Sequence, residues 1–209
     1  LISLIYLFVD KNVIILKDNA KFFIKKFKAS QKFKQCPIER IDHVPEETIV
    51  VIGHAYGNPE NQNLFLAPAV SSFLSKHSHN IDVVFFTGDV FQTSSNDKWS
   101  WLATNFKDDF KIYIAPGNHD VGTNDNPKKI AFNSSPYYLP TSEIVNLQGI
   151  DFILEDSIKS NWLIDTATIE LINTSQNEVI LLRHNIASKD ILDVANSDAG
   201  ISDNLPNKV

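Results

Sequence analysis

Apolar positions along the chain follow two rhythms. A nine-residue stretch, LISLIYLFV, apolar at every position but Ser3, opens it. From about residue 48, short runs rich in β-branched and aromatic residues recur: TIVVIG (48–53), DVVFFTG (82–88), KIYIAPG (111–117) and EVILLR (178–183). Each is bounded by polar or turn-forming residues, which predicts strands. Between them, residues 64–77 (LFLAPAVSSFLSKH) and 97–107 (DKWSWLATNFK) space their large apolar side chains as helices do, the second with Asn96 as N-cap. Ser188 stands where it would cap a further helix over KDILDVAN. Residues 122–142 read as a long loop, and Trp99, Trp101 and Trp162 as packing residues. Strands alternating with helices predict an α/β fold.

Composition narrows this picture. With 209 residues, 43% apolar and 21% charged, the chain is sized for one globular domain with its own core. Its single cysteine, Cys36, excludes an internal disulfide framework and any multi-cysteine metal site. Net charge is −6, yet residues 11–34 hold eight lysines against one acid, Asp18. That segment carries +7, so the remainder sums to −13. A basic arm over residues 1–40 is therefore expected ahead of an acidic body over 48–209.

Two readings suit the arm. A nine-residue apolar stretch, broken by Ser3, is too short to span a bilayer, which takes roughly 20 residues. It is either the remnant of a membrane anchor, with lysines facing the cytoplasm or anionic headgroups, or a core segment followed by a solvated lysine-rich helix. The first reading makes the protein membrane-anchored or membrane-associated, the second cytoplasmic. The acidic body argues against nucleic acid as a partner other than as substrate. The chain begins at Leu1 and contains no methionine, so it is read as a piece of a longer one.

Chemistry collects at the strand ends. The four runs are followed at once by His54, by Asp89, by Asn118-His119-Asp120 and by His184. Open α/β sheets bind ligands beyond the carboxyl ends of their strands. Taken singly, a Gly-Asp is a common turn and a lone histidine a common structural residue. Four strand ends delivering such groups form a site pattern.

The succession Gly88-Asp89, then Gly117-Asn118-His119-Asp120, then a strand-end His184 resembles the calcineurin-like metallophosphoesterases. That family carries five blocks: D-x-H, G-D, G-N-H-D/E, a lone H, and G-H-x-H. The resemblance covers about residues 48–186. It implies a sandwich of mixed β-sheets flanked by helices, here incomplete at its C-terminus. It also implies one or two divalent metal ions (Mn, Fe or Zn) and hydrolysis of a phosphomonoester or phosphodiester by metal-bound hydroxide. Asp89 would bridge the metals, with Asn118 and His184 as further ligands. His119 would sit over the phosphate, and Asp120 would hold its ring.

Two blocks depart from the pattern. The first reads GHAYGN (53–58), which places His54 at the family's Asp position and Tyr56 at its His position. The other register puts His54 at the family's His and Ile52 at its Asp; the match of Gly57-Asn58 favours the first. A neutral imidazole for a carboxylate, and a phenol for an imidazole, would retune the first metal site towards iron or a single metal. The G-H-x-H block is missing, since the histidines are His43, His54, His77, His79, His119 and His184. That block is expected beyond Val209. The alternative to an enzyme is a non-catalytic module of this fold that binds a phosphate ligand or a partner protein.

Overall fold

The computed structural model describes residues 43–122, 127–160 and 163–185, together with the backbone of Leu4–Phe8. Among the described residues, seven strands form two sheets. β1 (Leu4–Phe8), β2 (Thr48–Gly53), β3 (Ile81–Phe86) and β4 (Lys111–Ile114) lie in that order, all parallel. β5 (Glu143–Leu147) and β6 (Ile150–Leu154) form an antiparallel hairpin, and β7 (Glu178–Leu182) joins β6 in parallel. All four strands expected after residue 48 are present, and the mixed-sheet sandwich is the architecture observed.

The period-two alternation of β2 and β3 explains the layering. Val50, Ile52, Val84 and Phe86 point into a core shared with α1 (Pro68–His77) and α2 (Asn96–Phe106). Ile49, Val51, Val83 and Phe85 point the other way, onto Val145, Phe152, Leu154 and Leu182 of the second sheet. Phe85 and Phe152 stack across this interface with centroids 4.8 Å apart. Both faces of the parallel sheet are thus covered. Its strands read as continuous apolar runs for that reason.

Several expectations need correction. α1 begins at Pro68 rather than at residue 64, because proline lacks the N–H that an interior position would use and suits the first turn. Ser95, with an extended backbone, occupies the N-cap position of α2, so Asn96 is its first residue. The supposed loop 122–142 contains α4 (Pro127–Asn133), which buries Ala131 and Phe132. Phe132 meets Trp99 edge-on at 5.2 Å, and Trp101 stacks on Phe65 at 4.6 Å, so both tryptophans pack as expected.

The β5–β6 hairpin and α5 (Thr166–Thr174) were not anticipated. Gln148 and Gly149 turn the hairpin with φ of 52° and 81°, the left-handed pair that a two-residue connection needs. Part of the apolar start, Leu4–Phe8, is a strand paired with β2. Residues 9–42, with the lysines and Cys36, lie outside the described residues, as do Trp162 and the helix expected after Ser188. Among the described residues no helix is long and apolar enough to cross a membrane.

Candidate metal centre

Because β2, β3 and β4 run parallel, their carboxyl ends share one edge. His54 follows β2 and Asp89 follows β3, after Thr87-Gly88. Asn118 opens the single turn α3 (Asn118–Val121) that follows β4. His184 arrives from the second sheet, just beyond β7. Three ligand atoms, one each from His54, Asp89 and His184, lie within 4.8 Å of one another. His54 Nε2 is 3.1 Å from Asp89 Oδ2, and His184 Nε2 is 3.5 Å from Asp89 Oδ1. His184 Nε2 is also 3.2 Å from Asn118 Oδ1.

Backbone conformation brings these groups so close. His54 and Asp89 adopt left-handed φ of 53° and 55°, costly for residues with a Cβ and frequent at functional sites. Gly88 has φ of 89°, and a Cβ there would overlap the His184 ring and the Gly117 nitrogen. A Cβ on Gly117 would overlap Asp89 Oδ1 and its backbone nitrogen. Glycine at both positions is a packing requirement. His54 N–H donates to Gly88 O, which ties the first two strand ends together.

Two histidine tautomers are set by carbonyls, which can only accept. His184 Nδ1 donates to Thr87 O at 3.1 Å, leaving the Nε2 lone pair for the centre. His119 Nδ1 donates to Gln92 O at 2.7 Å, leaving its Nε2 as the atom able to exchange a proton. Neither carbonyl could be picked out from sequence, since any residue supplies one.

A family model for the calcineurin-like phosphoesterases matches residues 48–199. The chain belongs to this family. Comparison with curated proteins and with solved structures found no match. Within the family frame, Asp89, Asn118 and His184 stand together as their motif blocks imply. His54 joins them. Tyr56 is buried in the wall of the site, its ring 5.2 Å from that of His54 and 5.4 Å from that of His119.

Asp120 departs from expectation. Its carboxylate takes backbone N–H groups rather than the His119 ring: Gly117 on Oδ2 at 2.9 Å, Val90 on Oδ1 at 3.0 Å and Phe91 on Oδ1 at 3.4 Å. It is fully buried and joins the loop after β3 to the start of α3. The Gly117 bond is the returning half of a capping box, an N3 acid on the N-cap N–H. Burial pushes its carboxyl up to about 7, with Asp89 adding to the rise and the three N–H bonds opposing it.

The electrostatics suit a cation. Burial raises the Asp89 carboxyl, but the His54 bond, the His184 charge and the His119 N–H outweigh it and hold it below the usual value. Burial holds the His184 imidazole below its usual value, against the pull of Asp89, and so favours the neutral, ligating form. Two imidazoles, a carboxylate and an amide oxygen match the preferences of borderline divalent ions. The residues present fit a divalent metal.

Proposed function

We propose that the protein is a metal-dependent phosphoesterase that hydrolyses a phosphomonoester or phosphodiester. The observation that carries this reading is the meeting of His54, Asp89, Asn118 and His184, from four separate strand ends, around one carboxylate. A divalent ion bound there would neutralise phosphate oxygens and lower the pKa of water. Asp89 would supply the carboxylate of the centre, its oxygens lying beside His54 and His184. Asn118 would add a neutral amide oxygen, and Tyr56 would wall one side. His119, its ring held by Gln92 O, would give a proton to the leaving oxygen from Nε2. Asp120 would hold the loops in place without touching substrate.

The test is metal-dependent hydrolysis of p-nitrophenyl phosphate and of its bis ester, with Mn²⁺, Fe²⁺, Zn²⁺ or Co²⁺ added in turn. Absence of turnover with all four, in folded protein, overturns the proposal. His54 in place of a carboxylate favours the second reading, a module that binds a phosphate ligand or partner without catalysis. Metal analysis separates the two: the non-catalytic module would hold less than one tightly bound ion per chain.

A further inference from the structure

β7 is held on one side only among the described residues, by β6. The two strands end in register at Leu154 and Leu182. The next pair outward is Glu155 and Arg183, and Glu155 N–H extends the ladder by donating to Leu182 O at 3.0 Å. Arg183 Nε lies 3.0 Å from Glu155 Oε2, with the two side chains 8% and 1% exposed. The remaining Glu155 oxygen accepts the Asp165 N–H at 2.6 Å, at the N-cap of α5. Arg183 Nη2 donates to Leu163 O at 3.1 Å. The end of β7 is thereby fastened to the segment that enters α5.

The residue after Arg183 is His184. Successive side chains of an extended chain point to opposite sides. Arg183 is gripped by Glu155 and Leu163, while His184 reaches Thr87 and Asp89 on the parallel sheet. A buried ion pair is a poor device for stability alone, since apolar replacements of similar volume are often as stable or more so. What an apolar pair lacks is the charge contact and the hydrogen bonds to Asp165 and Leu163 that tie both side chains to fixed partners.

We propose that the Glu155–Arg183 ion pair is a positioning device that presents His184 Nε2 to the metal centre and so sets metal affinity. This inference rests on the reading that the centre binds a divalent ion. With the pair intact, the ring is anchored at both ends, by the strand behind it and by Thr87 O beside it. Without the pair, the strand end relaxes and the imidazole samples positions away from Asp89 and Asn118.

The experiment measures Zn²⁺ affinity by calorimetry with a competing chelator, alongside thermal unfolding of the metal-free chain. The variants are Glu155→Gln, Glu155→Asp and the double variant Glu155→Leu with Arg183→Met. Glu155→Gln and the double variant should bind Zn²⁺ about 10- to 100-fold more weakly, as for other groups that orient a ligand from behind. Glu155→Asp should fall between them and the wild type. The double variant should still unfold cooperatively while its affinity stays low, and its Co²⁺ absorption spectrum should differ from wild type. Wild-type affinity in the folded double variant would overturn the proposal. Should the double variant not fold, unchanged affinity in Glu155→Asp would overturn it equally. A wild-type chain that binds no Zn²⁺ overturns the metal reading itself, a separate and recognisable result.

Discussion

The two sheets supply the same centre by different means. The parallel sheet gives His54, Asp89 and Asn118 from the ends of three neighbouring strands, and backbone holds them there. Left-handed turns at His54, Gly88 and Asp89, close packing at Gly117 and the N–H groups around Asp120 do the work. The three-stranded sheet gives His184 alone, from a strand paired on one side among the described residues, and the Glu155–Arg183 pair and Thr87 O hold it. The contrast teaches where each ligand is vulnerable. On the first sheet a single added methyl group reaches the ligands directly, whereas on the second a change acts through packing behind the strand.

The largest effect should come from Asp89→Asn, which removes the carboxylate that both imidazoles face. Hydrolysis should fall to background and bound metal should drop, as read by assay and metal analysis. His119→Ala comes next, with kcat lower by about 10²–10⁴, the usual contribution of a proton-transferring group, and metal content unchanged. Loss of metal in that variant would show that the ring serves the centre rather than the substrate.

Two glycine substitutions sharpen the comparison between sheets. Gly88→Ala meets both a left-handed φ and the His184 ring, so it should lose stability and metal together. The backbone strain alone is worth about 1–3 kcal/mol. Gly149→Ala, in the β5–β6 turn, has a similar φ of 81° but open space around it. It should cost about 1–2 kcal/mol of stability and leave Zn²⁺ affinity unchanged. Equal losses of metal in both variants would erase the distinction.

The smallest effect concerns Asp151, buried on β6 and remote from the centre. Hydrogen bonds from Ser175, then Asn146 and Asn177, hold its carboxyl below the usual value despite burial. A depressed folded pKa means that the unfolded chain binds more protons as acid is added. Its stabilising contribution is therefore complete above the unfolded value and lost as pH falls through the folded one. Urea midpoints followed down to about pH 2 should show a shallower acid limb in Asp151→Asn than in wild type.

How far the residues could be read in advance differed by element. β2, β3, β4 and β7 carry dense β-branched runs with turn residues behind them, so pattern alone finds them. β5 and β6 are short and broken by Asn146 and Asp151, which point to each other across the hairpin and blur the alternation. α4 hides inside a polar stretch because only Ala131 and Phe132 bury. His54, Asp89, Asn118 and His184 could be proposed together because each lies within four residues of the end of a strand. The role expected of Asp120 could not be tested that way. Adjacent to His119 in the chain, its carboxylate turns inward to backbone N–H groups at the end of another strand.

Local pattern was enough to establish that the chain forms α/β layers and that metal-type residues stand at the carboxyl ends of its strands. Side-chain periodicity and turn chemistry act over a few residues, and these features need no longer reach. Which atoms meet was settled in three dimensions. Thr87 O accepts from a ring 97 positions away, Gln92 O from one 27 away, and Glu155 finds Arg183 only because β6 and β7 end in register. Such contacts depend on how sheets stack and where strands stop, and no local spacing encodes either.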